Sequence, residues 1–588
     1  MTVNEKISEL RKLMKAKNID AYIVPNSDPH LSEYVPERYK LREFITGFTG
    51  SRGTAVITMD KAGLWTDSRY FIQAEKQLSN SEVKLYKMGE DISMDDFLLR
   101  EVHDYGRIGF DGELMSYSYY ENLAKKMETR MLLWDLDFIS DLWEDRPLVP
   151  NGKINILYEE YSGKTPKEKL AILREMMKDR KVDQSFIGGL EDVNYLYNIR
   201  GNDIEATPVV ISYALVTMDE AYLFVDISKL DDEVLEYLNT NDIKVLQYEN
   251  IFSYMRTLLP QSAIYLDPDK TNVKVYKEIS NTIRIKKGIN LTTYMKAVKN
   301  DVEIENAKEA FHKDAIALVK FFNWVEMGSK TGNLSEYQTV EKLLELRKKG
   351  KNFIENSFGT ISAYRENAAM PHYAPSPNES KRIEDSGLFL CDSGGHYLEG
   401  TTDITRTIAL GHLTKEEKYH YTMTLKAHIM AMSAVFKAGT TGQYIDDVCR
   451  YHLGRHGLDF GHSTGHGVGY LLSVHEGPQS FSKNDKGIKI VPGMITSIEP
   501  GIYIEGSHGI RIENIVLTVI KEENEFGKFY GFEPLSYVPI DTRPVVKDLL
   551  NEDEIKWINS YNKECYEKLK DDLRDSDLEY LKEQTKSI

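Results

Sequence analysis

The chain has 588 residues and a formal net charge of −18, an acidic balance that disfavours nucleic acid or an anionic membrane surface as the main partner. Apolar residues make up 41% and charged residues 28%, the proportions of a soluble globular protein, and the length suits about three or four domains. The three cysteines, Cys391, Cys449 and Cys565, are too few and too scattered for a disulfide framework or a zinc ribbon, and they suit a reducing compartment.

The opening fourteen residues are polar and amphipathic. They lack the apolar core of a signal peptide, and no apolar run reaches about 18 residues, so a cytoplasmic protein with no membrane partner is expected. Ile7, Leu10, Leu13 and Met14 form one helical stripe, followed by the apolar run 21–24. Leu170, Leu173, Met176 and Met177 repeat the stripe, followed by 186–188. Strand runs at 53–58 and 63–65 are echoed by 208–212 and 221–225. Alternating helices and strands in both copies predict two similar α/β domains, 1–160 and 161–298. Thr165-Pro166-Lys167-Glu168 is a capping box with proline at the first helical position, and 147–164 reads as a linker. The first copy closes with Asp67-Ser68-Arg69-Tyr70, the second with Asp226-Ile227-Ser228-Lys229. Loss of the arginine reads as divergence after duplication, or as a sign that Arg69 and loop 47–53 bind substrate elsewhere. That loop lacks the Gly-Lys-Ser/Thr ending and following helix of a phosphate loop, so it reads as a turn.

Asn300-Asp301-Val302-Glu303 opens a helix expected to run to about 327. Further helices are expected at 334–348, 414–439 and 444–453, with strands at 387–393, 402–410, 494–498 and 509–520. Helix pairs with antiparallel strands predict an α+β domain with a curved sheet over 299–525. The extension 526–588 holds a strand-like stretch at 532–540 and a capped helix from Asn551, with Ile558, Tyr561, Cys565 and Leu569 as its apolar side. It can dock on its own domain or build a subunit contact.

Five residues of this half carry the chemistry. Asp392 ends the apolar run 388–391, and Asp403 opens the next strand. A hairpin would bring the two carboxylates together, with the period of two choosing the shared face. His466 lies in the glycine-rich stretch 461–469, Glu499 ends a strand at Glu499-Pro500-Gly501, and Glu513 lies inside the strand 510–519. Singly, each has an ordinary structural reading as a turn cap, a turn marker or a backbone partner. Together they pose an electrostatic problem, because converging buried acids repel and take up protons. Two divalent cations would cancel four negative charges. Oxygen ligands with one imidazole suit manganese first, or zinc, cobalt or iron, and not a soft thiolate metal.

The strings Cys391-Asp392-Ser393-Gly394-Gly395, Thr401-Thr402-Asp403-Ile404-Thr405-Arg406, Gly465-His466-Gly467-Val468-Gly469, Glu499-Pro500-Gly501 and Arg511-Ile512-Glu513-Asn514 resemble, in order and spacing, the five ligand motifs of the pita-bread metallopeptidases. With the two α/β domains and the tail, nearly the whole chain is similar to the three-domain cytosolic Xaa-Pro aminopeptidases. The resemblance implies two creatinase-like N-terminal domains and a pita-bread catalytic domain. It also implies a homodimer that releases the N-terminal residue from peptides with proline second, by attack of a hydroxide bridging two metals. Asp392 would chelate one metal, Asp403 and Glu513 would bridge the pair, and His466 and Glu499 would complete the two sides. Glu499 would shuttle the proton, while His372 and His475 would donate to the carbonyl oxygen and developing oxyanion. His462, Val474 and Tyr503 would line the proline ring, although His462 can equally be a support of the ligand loop. Arg511 would hold a ligand carboxylate in place.

Other readings fit less well. Gly461-His462-Ser463-Thr464-Gly465 has the letters of a serine-hydrolase elbow but no apolar strand before it or helix after it. Gly465–Gly469 lacks the strand–turn–helix setting of a dinucleotide loop, and no His-Glu-x-x-His is present. An Xaa-Pro dipeptidase (prolidase) shares the metal motifs, and a non-catalytic peptide-binding relative of the fold would be expected to have lost them.

Overall fold

The two N-terminal copies begin with the same capping device. Thr2 accepts from the Glu5 amide while the Glu5 carboxylate accepts from the Thr2 amide, starting helix Val3–Ala16. Thr165 and Glu168 do the same for helix Pro166–Asp179, with Pro166 at its first position. Each box satisfies amide donors that a helix start leaves free. Ile7, Leu10 and Met14 are buried on the first helix, and Leu170, Leu173 and Met177 on the second.

The structure is a computed structural model that describes residues 1–588. It divides into two compact units, Met1–Tyr294 and Met295–Ile588.

In the first unit each copy builds a six-stranded sheet. The first runs in the order Val83–Lys87, Ala62–Thr66, Thr54–Thr58, Ala21–Pro25, Arg107–Gly109, Met131–Leu133. The second runs Ile243–Gln247, Ala221–Val225, Ser212–Thr217, Gln184–Ile187, Ala263–Leu266, Arg284–Lys287. In both, the antiparallel pairs lie among the second, third and fourth strands of that order, and the other pairs are parallel. The matching order and sense make the internal repeat a structural fact. The expected strand at 208–212 begins instead at Ser212. Pro208 has no amide hydrogen, and the Val210 and Ile211 amides donate to Asn194 Oδ1 and Asp203 Oδ2, so they are unavailable to a ladder.

In the second unit Asn300 caps helix Asp301–Ser329 by accepting from the Val302 and Glu303 amides. Phe311, Leu318, Phe321 and Phe322 of this helix share one core with Phe389, Ile404 and Ile515 from the strands. Leu388–Ser393 lies between Ile361–Tyr364 and Ile404–Ala409 in an antiparallel sheet. A six-stranded antiparallel sheet joins Phe436–Lys437, Gly527–Pro534, Asn514–Asn524, Ile495–Ile498, Gly465–Gly467 and Glu476–Phe481. The helix from Thr414 is shorter than expected and ends at Met432, because Phe436 and Lys437 pair with Tyr530 and Phe529 as a strand.

The expected strand 509–520 is two strands. His508–Arg511 pairs with Gly501–Ile504, and Asn514–Asn524 pairs with Ile495–Ile498, so Glu513 lies in the break and not inside a strand. The helix Glu552–Leu569 starts at Asn551 and buries Ile558, Tyr561, Cys565 and Leu569. Its Tyr561 hydroxyl accepts from Arg406 Nη2 at 2.8 Å and donates to the Ser536 carbonyl at 2.8 Å, so the C-terminal helix docks on its own unit.

Candidate metal centre

Asp392 and Asp403 reach the site from one hairpin. In the ladder Asp392 faces Thr405, and Asp403 stands just before that strand, two residues from Thr405. Gly394 permits the turn between them. A Cβ there would meet the Thr402 carbonyl oxygen at 1.9 Å and Ser357 Oγ at 2.3 Å. Thr405 then ties this hairpin to the next carboxylate, donating to Glu513 Oε2 at 2.8 Å and accepting the Glu513 amide at its carbonyl at 3.1 Å.

Glu499 and Glu513 come from a second hairpin interrupted in both arms at the same level. Ile498 pairs with Asn514 below the break and Gly501 with Arg511 above it. The register is unchanged across the gap, which places Glu499 opposite Glu513. The gap keeps its backbone groups occupied. The Glu499 amide donates to the Thr464 carbonyl at 2.8 Å, and Arg406 Nη1 donates to the Glu513 carbonyl at 2.5 Å.

His466 sits on the short strand Gly465–Gly467, with its amide donating to Ser497 Oγ at 2.9 Å. Its Nδ1 faces the Gly467 carbonyl at 2.8 Å. A carbonyl only accepts, so in the neutral ring Nδ1 carries the proton and Nε2 presents its lone pair. That Nε2 lies 3.4 Å from Asp403 Oδ2 and 3.5 Å from Glu499 Oε1. Ligand atoms of Asp403, His466 and Glu513 all fall within 4.8 Å of one another.

The electrostatics call for cations. Burial, then the charges of Asp392 and Glu499, push the Asp403 carboxyl well above its ordinary range. Burial and the charges of Asp403, Asp392 and Glu499 do the same to Glu513. Burial raises Glu499 as well, against the opposing pull of His466 and Arg511. Asp392 Oδ1 is buried with no hydrogen-bond partner, while its Oδ2 accepts from Arg511 Nε at 3.2 Å and Nη2 at 2.5 Å. An orphaned carboxylate oxygen beside three acids and one imidazole lone pair fits divalent cations with oxygen-rich coordination.

Around these five, the structure places the other expected residues as follows. Arg511 holds Asp392 and also donates from Nη1 to the Tyr503 hydroxyl at 2.7 Å. Tyr503 in turn lies 2.8 Å from His462 Nε2, whose Nδ1 faces the Ser463 carbonyl. His462, Tyr503 and Arg511 are therefore one hydrogen-bonded unit that reaches Asp392. The His475 ring stands edge-on to His466 with centroids 4.4 Å apart, and Val474 is fully buried. His372 follows Pro371, whose carbonyl accepts from Arg511 Nη2 at 3.3 Å, and precedes Tyr373, whose hydroxyl donates to Glu336 at 2.8 Å. Arg69 belongs to the first unit, where Asp67 engages it from two sides at 2.9 and 2.7 Å.

Sequence reasoning did not single out Arg406. It is 1% exposed and donates to the carbonyls of Thr405, Glu513 and Val538, to Asn514 Oδ1 and to Tyr561. Its only signal was an arginine among apolar strand residues, which requires many acceptors once buried.

Residues 305–519 match the family described as Metallopeptidase family M24. Residues 6–137 and 145–303 match Creatinase/Prolidase N-terminal domains, and 528–588 match the C-terminal region of peptidase M24. The chain is 40% identical to a probable Xaa-Pro aminopeptidase P of Laccaria bicolor, covering 97% of this chain and 91% of that one. It superposes on the X-prolyl aminopeptidase of Caenorhabditis elegans, described as a cytosolic enzyme with a di-nuclear active site, with a TM-score of 0.96 and 34% identity over 100% of both chains. The prolidase of Pyrococcus horikoshii is matched over 63% of this chain and 99% of that one, with a TM-score of 0.51 and 26% identity.

Proposed function

Because the chain belongs to the Xaa-Pro aminopeptidase P family of M24 metallopeptidases, we propose that it is a metal-dependent hydrolase releasing the N-terminal residue from peptides with proline second. One observation carries this reading: four acids and one imidazole converge, with Glu499 opposite Glu513 and three of the acids driven toward protonation by burial and by neighbouring carboxylates.

Asp392, Asp403, His466, Glu499 and Glu513 would hold two divalent cations. When bound, the pair supplies Lewis acidity and an activated water. Glu499, with Ser497 donating to Oε1 at 3.3 Å, takes a proton from the attacking water and passes it to the leaving nitrogen. His475 and His372 donate to the substrate carbonyl as negative charge grows on its oxygen. His462, Val474 and Tyr503 receive the proline ring, whose nitrogen offers no amide hydrogen to a backbone-reading pocket. Arg511 keeps Asp392 aimed by occupying one of its two oxygens. Arg69, whose guanidinium Asp67 engages, is proposed as a further substrate-binding residue.

The oxygen-rich donors favour manganese, with zinc, cobalt and iron as alternatives. Three free, buried cysteines suit a reducing cytoplasm, and no helix is long and apolar enough to cross a membrane. A homodimer follows from family resemblance alone, and a monomeric mass by light scattering rejects it.

The deciding experiment strips the protein with a chelator, restores manganese, and compares an Xaa-Pro-Xaa tripeptide with an Xaa-Pro dipeptide. Manganese-dependent cleavage of the tripeptide is expected. Cleavage of the dipeptide alone makes the protein a prolidase, and absence of bindable metal makes it a non-catalytic relative. The prolidase reading is the weaker, because the prolidase match leaves more than a third of this chain uncovered.

A further inference from the structure

We propose that Lys299 is a positioning residue that staples the loop between His466 and His475, fixing the separation of these two histidines. The inference rests on the peptidase reading above for its catalytic consequence, though not for its geometry.

The loop begins and ends badly as a strand. Gly465 pairs with Phe481 and His466 with Ser480, but the next residue, Gly467, pairs with Glu476. The ladder thus skips residues 477–479. Inside the loop the Gly469 amide donates to the Ser473 carbonyl at 3.1 Å, and Leu471 adopts a left-handed φ of 46° that costs a branched residue energy. The Gly467–Glu476 pair joins the neighbours of the two histidines, but it sits at an irregularity in the ladder.

Lys299 supplies a second tie, through its side chain. Its Nζ donates to the Val468 carbonyl at 2.7 Å and to Glu476 Oε1 at 2.6 Å. One ammonium group thus joins the residue two beyond His466 to the residue just after His475. Lys296 Nζ lies 3.1 Å from Glu476 Oε2 and braces the carboxylate from its other side. The side chains of Lys299 and Glu476 are 1% and 2% exposed. A buried ion pair gains little stability over an apolar filling of the same volume. Its distinctive consequence here is directional, because an ammonium holds two acceptors at fixed distance in a site where small displacements matter. A misplacement of about 1 Å can cost about 100-fold in rate.

The test compares wild type, Lys299→Met and Lys299→Arg as full-length, manganese-loaded proteins. Tripeptide kcat and KM and hydrogen exchange of the 468–476 amides are measured for each. The expectation for Lys299→Met is faster exchange in that loop and a kcat lowered about 10- to 100-fold, with KM within about threefold. Lys299→Arg, which keeps the charge and two donors, is expected to restore most of the kcat and the protection. Unchanged exchange, or a kcat within about twofold of wild type, overturns the proposal. So does a drop in melting temperature alone. If Lys299→Met does not fold, Lys299→Gln, with a shorter reach and one donor group, replaces it under the same thresholds. Failure of both to fold assigns Lys299 to stability and overturns the positioning role. A wild type that leaves the tripeptide intact refutes the peptidase reading instead, and the exchange measurement then still decides on the staple.

Discussion

Glu499 and Glu513 stand opposite each other at a break that interrupts both arms of one hairpin at the same level. A continuous ladder would alternate side chains above and below the sheet and commit every amide to its neighbour strand. The break frees both residues from that rule. Their backbone groups go elsewhere, to Thr464, Thr405 and Arg406, and their carboxylates turn toward Asp403 and His466.

Replacing Asp403 by alanine is expected to abolish turnover and most metal uptake while leaving the first unit folded. Asp403 contributes an oxygen within 4.8 Å of ligand atoms from both His466 and Glu513. Metal analysis of the purified variant and its circular dichroism check this, and retained activity refutes the site.

Without metal, stability should depend on pH in the direction set by raised carboxyls. Asp403 and Glu513 bind protons in the folded state that the unfolded chain releases near pH 4. More protons bound in the folded state means stability falls as pH rises from about 4 through the raised folded values. Chelated wild type should therefore melt below Asp403→Asn at about pH 8, with the gap closing as the pH is lowered toward about 5. A gap that widens on acidification contradicts the assigned shifts.

Metal binding should reverse that penalty. Cations that bind the folded state alone stabilise it by about 2.7 kcal/mol at 100 times their dissociation constant. A melting temperature that climbs with manganese in wild type, and stays level in Asp403→Ala, is the expected pair of curves.

Arg511→Met should weaken metal binding about 10- to 100-fold, the usual consequence of losing a group that orients a ligand. The variant releases Asp392 Oδ2 and leaves the Tyr503 hydroxyl without its donor. Competition against a chromogenic chelator measures the loss, and affinity unchanged within about twofold denies Arg511 its orienting role.

Tyr561→Phe should destabilise the second unit by about 1–3 kcal/mol, because Arg406 loses an acceptor and the buried Ser536 carbonyl a donor. Denaturant unfolding of the variant checks the magnitude.

The sequence alone determined a good deal. Capping boxes at Thr165, Asn300 and Thr414 are local, since a side chain three residues away completes each one, and all three helices start where the residues say. The duplicated stripes and strand runs predicted two alike domains, because burial of one helix face is written at fixed spacing. The five strings that carry the four acids and the imidazole were legible as such, since their chemistry is carried by residue type. Only the tertiary structure decided the rest. The break at Glu513 came with its amide claimed by Thr405, a residue distant in the chain. The strand shift from 208–212 to Ser212–Thr217 came from side-chain acceptors on Asn194 and Asp203. The reach of Lys299 to Val468 and Glu476 spans about 170 residues. Long-range partners leave no periodic trace in the sequence, because their spacing is set by how elements pack and not by the pitch of any one of them.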